Sequence, residues 1–214
     1  MSKPEWFRRS TWSDTDREEF CDRLKRSRGA GSKAQYLRIQ AGHLAEAGDH
    51  AGAIELLDRM LTEFPEKFQL AMAHAQKAES LAKLSRIEAA IEVYRAALQA
   101  EREFPTVRTN AWLDFAQLVV EGQMHALYSE ASQILQEFRE EGDLKLPALE
   151  YRYAAIQASL ADARGDKACA AEFARQALVE ADKDHSGLRY HPTVGLVGSE
   201  RDKFESRLRA LARS

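Results

Sequence analysis

Small and apolar residues recur along this chain at helical spacing, and the helical blocks themselves recur. Ala53, Ala90, Ala131 and Ala170 stand 37, 41 and 39 residues apart. Each is followed at the same two offsets by packing residues: Leu57 and Met60, Tyr94 and Ala97, Leu135 and Phe138, Ala174 and Ala177. A unit that returns every 35 to 40 residues or so is one supersecondary element stacked on copies of itself. The pattern predicts four helical hairpins, pairing 33–47 with 50–64, 68–83 with 86–102, 107–121 with 127–141, and 148–163 with 167–183. Gly48-Asp49 and Gly165-Asp166 mark two of the turns, and Pro65, Pro105 and Pro147 stand beyond second helices, where they prevent continuation. Glu63-Phe64-Pro65 and Glu103-Phe104-Pro105 repeat the same closing tripeptide.

The ends read differently from this body. Residues 1–32 hold Trp6, Phe7 and Trp12 among Lys3, Arg8 and Arg9, then a helix opened by Ser13 and Thr15 with Asp16 and Glu18 three residues on. Phe20 and Leu24 share one face of that helix, and Gly29-Ala-Gly31-Ser stops it near Arg28, with Ser32 placed to cap the next. Residues 184–214 open with an extended stretch carrying Gly187, Pro192, Gly195 and Gly198. Ser199 with Asp202 then starts a last helix, whose Phe204, Leu208 and Leu211 form an apolar stripe. Terminal units of a stack must cover its exposed end, and an extra helix at each end suits that need.

The chain has 214 residues, 44% of them hydrophobic and 30% charged, with 18 aromatics and five prolines, so long disordered stretches are excluded. The net charge of −3 is unevenly spread: residues 1–40 carry +4, 41–198 carry −9 and 199–214 carry +2. Cys21 and Cys169, far apart in candidate helices, read as thiols of a reduced, cytoplasmic protein. Met1-Ser-Lys-Pro-Glu-Trp has no apolar run after its charges, which reads against a signal peptide. No stretch approaches the roughly 20 apolar residues of a membrane span.

Catalytic chemistry has no foothold in this sequence. Neither Gly29-Ala-Gly31 nor the Gly195/Gly198 pair sits where a phosphate-cradling loop would need it. His43, His50, His74, His125, His185 and His191 form no helical ligand pair. His43 and His74 lie on first helices of adjacent repeats and could approach, but wedged histidines are commoner than ligands. Cys169, between Ala168 and Ala170, reads as a small core residue. Arg23-Leu-Lys25-Arg26-Ser-Arg28 could grip phosphates, although a solvated helix end is the more economical reading of such a run. Trp6, Phe7 and Trp12 could anchor a partner, but a cap packed on the first hairpin is favoured. The reading therefore calls for no cofactor, no metal and no catalytic residue.

The repeats resemble the tetratricopeptide family. Its motif wants a small residue in the first helix and an alanine twelve positions later, matched by Ala41 and Ala53, Ala78 and Ala90, and Ala158 and Ala170. The third unit pairs Ala116 with Ala131 across an insertion at Met124-His125-Ala126, and the motif's early tryptophan appears as Trp112. About 150 of the 214 residues are covered. Lys33-Ala-Gln-Tyr-Leu-Arg-Ile-Gln-Ala41 and Tyr190-His-Pro-Thr-Val-Gly-Leu-Val197 also resemble a bacterial group of such proteins.

The resemblance implies an all-α fold: a right-handed helical solenoid with an N- and a C-terminal capping helix, whose first helices line a concave groove. It would place Gln35, Arg38, Met72, Glu79, Asn110, Leu113, Gln117, Arg152 and Ser159 toward that groove. The implied activity is non-enzymatic binding of a peptide or helix, as a cytoplasmic adaptor or regulator. Family members that clamp a C-terminal carboxylate use basic and asparagine side chains. Here those positions hold Arg38, Gly42, Gln76, Asn110 and Asp114, and Asp114 argues against a carboxylate tail. Arg38 beside Glu79, followed by Asn110 and Gln117, suits a polar or zwitterionic segment. An immunity or antitoxin-like inhibitor using the same groove, and a nucleic-acid-associated protein using the basic ends, stand as alternatives.

Overall fold

A computed structural model describes residues 5–139, 146–198 and 204–213, and the described residues contain helices and turns but no strand. The helices are α1 (Asp14–Arg26), α2 (Ala30–Glu46), α3 (His50–Glu63), α4 (Lys67–Lys83), α5 (Ile87–Glu103), α6 (Ala111–Glu121), α7 (Tyr128–Phe138), α8 (Pro147–Ala163), α9 (Lys167–Ala181) and α10 (Glu205–Leu211). A 3-10 turn, His125–Leu127, precedes α7 where the insertion was read. The chain divides into two compact units, Met1–Ala111 and Trp112–Ser214.

In the first unit α2 packs on α3 and α4 on α5, and α4 also packs on α3 and α2. The amphipathic spacing explains the pairing. α3 buries Ala53, Leu56, Leu57 and Met60, while α5 buries Ala90, Ile91, Tyr94, Ala97 and Leu98. α1 opens with the expected capping box, in which Ser13 Oγ accepts from Asp16 N–H and the Asp16 carboxylate accepts from Ser13 N–H. The Ser13 hydroxyl, which donates to Asp16 Oδ2 at 2.7 Å, together with the Ser13 N–H and the Arg9 guanidinium, holds the Asp16 carboxyl well below the usual carboxylate range. Ser32 does not cap α2; the helix begins two residues earlier, at Ala30, with Gly29 at the cap position.

The N-terminal arm lies on this unit. Trp6 and Phe7 contact the ring of Tyr36, and Trp6 and Trp12 contact that of Phe20. Beneath them the fully buried Gln40 amide binds the backbone of Arg9 at both ends: Arg9 N–H donates to Oε1 at 2.9 Å and Nε2 donates to the Arg9 carbonyl at 2.7 Å. A buried amide must find partners, and this one finds them in the arm.

In the second unit α8 packs on α9, and α10 packs on both, burying Phe204, Leu208 and Leu211. The Ser199–Asp202 helix start lies outside the described residues. Pro147 is the first residue of α8, where its missing N–H costs nothing. The next N–H, of Ala148, donates to the Gly195 carbonyl at 2.8 Å, so the extended segment after α9 caps α8. That segment is folded around buried Ser186, whose N–H donates to Pro192 O and whose hydroxyl donates to His191 O.

All four hairpin turns share one backbone form. Gly48, Ser85, Gln123 and Gly165 have φ of 88, 58, 52 and 78°. The N–H of the following residue, at Asp49, Arg86, Met124 and Asp166, reaches back to Leu44, Leu81, Val119 and Ala161 at 2.8, 2.9, 3.0 and 3.0 Å. This is the left-handed helix stop, in which two backbone bonds satisfy the last carbonyls. Glycine takes the position in two turns; serine and glutamine take it in the others at a steric cost of about 1–2 kcal/mol.

Two predictions follow from these local energetics. Ser85→Gly removes the left-handed penalty but adds backbone freedom to the unfolded chain. A net stabilisation of about 0.5–1 kcal/mol is expected in urea titration. Gly48→Ala, which has open space for its methyl group, should lose about 1 kcal/mol, and a destabilised Ser85→Gly would contradict the turn geometry.

The second prediction concerns Glu101, which is 2% exposed. Its Oε1 accepts from the N–H (3.1 Å) and hydroxyl of Thr109, and Arg108 Nε stands 3.7 Å from Oε2. Burial nevertheless raises its pKa. The folded state therefore favours the protonated acid: its contribution is full below the ordinary carboxylate range and lost as pH rises through the raised value. Glu101→Gln keeps an acceptor for Thr109 without a buried charge. Its unfolding free energy should exceed wild type by about 1 kcal/mol at pH 7, with the gap closing near the ordinary pKa of about 4.3. A pH-independent gap would show that desolvation of Glu101 does not govern it.

Candidate partner-binding surface

In the first unit the surface is built by α2 and α4. Gln35 and Glu79 are exposed, and Arg38 and Met72 are half-buried. Arg38 Nε donates to Gln69 Oε1 at 2.6 Å, which ties α2 to α4. Burial draws the Arg38 pKa below its ordinary value, though a guanidinium stays charged. One turn further on, Gly42 faces Gln76: a Cβ on Gly42 would stand 3.3 Å from Gln76 Nε2. The absence of that side chain lets the amide lie against α2.

 Beside this pair is an open cavity of about 420 Å³. Glu46, His50, Glu79, Ser80 and Lys83 also line it. Two of its polar atoms, Gln76 Oε1 and His50 Nδ1, are buried without a hydrogen-bond partner among the described residues. Glu46 lies 3.2 Å from His43 Nδ1, and Glu79 takes part in no ion pair among the described residues. The sequence reading reached Gly42, Gln76 and Glu79 but missed Glu46, His50 and Lys83. A signal was present in Gly42, which sits inside a helix at a cost of about 1 kcal/mol relative to alanine.

The other expected residues fare differently. Asn110 is exposed immediately before α6. Leu113 is completely buried, and Ser159 is 2% exposed with its hydroxyl donating to Ala155 O at 3.0 Å. Neither can meet a partner, which corrects the expectation for both. In the second unit Arg152 Nε donates to Gln117 Oε1 at 2.7 Å, and its Nη2 donates to Asp114 Oδ1 at 2.6 Å. Gln117 Nε2 donates in turn to Glu121 Oε1. Arg152 and Gln117 thus serve a network linking α6 to α8, and Asp114 carries its own counter-charge.

Some of the basic side chains near the N-terminus have acidic partners. Arg9 pairs with Asp16 and Glu19, Arg8 with Glu5, and Lys25 with Asp22. Cys21 Sγ accepts from Arg59 Nη1 at 3.3 Å, and Cys169 is half-buried rather than enclosed. His74 is held below its ordinary pKa by burial and by Lys77. Among the described residues no group of three histidine, cysteine or acidic side chains is placed to hold a metal ion, and no helix is long and apolar enough to cross a membrane. A second cleft, of about 480 Å³, lies on α8 and α9, with Arg139 stacked 3.8 Å from the Tyr153 ring centre and paired to Glu150 at 2.7 Å.

The chain matches no protein-family model and no curated protein.

Proposed function

We propose that this protein is a non-enzymatic protein-binding module, an adaptor or regulator whose hairpins form a tetratricopeptide-like right-handed solenoid. The observation that carries the reading is the α2–α4 face of the first unit. There Gln35, Arg38 and Met72 lie along the two helices, and Glu79 lines the adjoining cavity, in which Gln76 Oε1 and His50 Nδ1 are buried without a partner among the described residues. Such atoms are costly to leave unpaired, and a bound chain supplies both donors and acceptors along its backbone. The recurrence of one turn geometry in all four hairpins supports a repeat architecture.

The test uses a bead-displayed library of short random peptides. Wild-type protein should select a peptide subset, and Arg38→Glu combined with Met72→Asp should weaken those peptides at least about tenfold, or about 1.4 kcal/mol. Circular dichroism should show the variant folded. Selected peptides that bind the folded variant as tightly as wild type would contradict this assignment, as would failure to select any.

A further inference from the structure

We infer that the cavity between α2 and α4 receives an arginine side chain of the bound segment. This rests on the peptide-binding reading and adds the chemistry of the contact. The cavity offers chiefly acceptors. Gln76 Oε1 is buried without a donor, and the carboxylates of Glu46 and Glu79 stand at the same site against the single ammonium of Lys83. His50 Nδ1, also buried and unpartnered, accepts when the ring proton is on Nε2.

A guanidinium fits this set better than the other charged groups. It has five donors in a plane and no acceptor, so it can serve a carbonyl oxygen and a carboxylate at once. It is also more weakly hydrated than an ammonium, which lowers the cost of entering a partly enclosed site. A carboxylate would face Glu46 and Glu79. Gly42 and Ala45 give the α2 wall no large side chains, and the Gln76 amide lies against Gly42. The volume of about 420 Å³ falls within the roughly 300–1,000 Å³ range of small-ligand sites. Lys83 is the one ammonium among the residues lining the cavity.

The experiment is a titration of the full chain with N-acetyl-arginine amide, followed by amide NMR, with N-acetyl-citrulline amide as the uncharged isostere. Saturable shifts should centre on Gly42, Ser80 and the Gln76 side-chain amide. They should weaken at least about fivefold with citrulline and in the isosteric double variant Glu46→Gln with Glu79→Gln, while Lys83→Met should strengthen them. Equal response to arginine and citrulline, an unaffected double variant, or shifts elsewhere would overturn the inference. Unfolding midpoints confirm that the variants fold. Library peptides that bind the α2–α4 face yet carry no arginine would overturn it while leaving the peptide-binding reading intact. Arginine amide seated in the cavity, with no peptide sensitive to Arg38 and Met72, would do the reverse.

Discussion

Two helices close tightly only where neither carries more than a methyl group at the point of contact. Ala41 and Ala53, Ala78 and Ala90, Ala116 and Ala131, and Ala158 and Ala170 put one such residue on each helix of a hairpin, and all eight are at most 1% exposed. Because these positions give up side-chain volume, the larger apolar residues at fixed offsets, such as Leu57 and Met60 or Leu135 and Phe138, must supply the burial. The turn geometry follows from the same constraint. A left-handed stop reverses the chain within a few residues and keeps the small positions of the two helices in register.

The ends of the chain solve a different problem. A hairpin packed on one side leaves an apolar flank, and aromatic or aliphatic groups from outside the repeats cover it. Near the N-terminus Trp6, Phe7 and Trp12 do so, aligned by the two bonds between Gln40 and Arg9. In the second unit α10 covers α9 and α8. Polar groups that direct such coverings are specific because each has one set of partners.

Much of the helical organisation was legible because the steric requirement for alanine leaves a periodic trace. The stops at Ser85 and Gln123 left none, since either residue is compatible with ordinary helix or loop and only the backbone reveals the left-handed form. Gln40 looked like any helical glutamine, and its burial depends on an arm some thirty positions away. The surface residues divided for a related reason. Projecting one helical face outward suits Gln35 and Glu79 but fails for Leu113 and Ser159, because α6 and α8 are buried over more than one face. The Arg152 contacts span 35 and 38 residues, and no local pattern announces side-chain pairs across such distances.

If the buried alanines set how closely the paired helices approach, the α2–α4 face depends on them, so those positions are the place to test the account. The most direct measurement is the chemical denaturation of Ala53→Leu, Ala90→Leu and the double variant. Overpacking predicts a loss of about 1–3 kcal/mol for each single change, with near-additive loss in the double. A double variant that unfolds at the wild-type midpoint would contradict it.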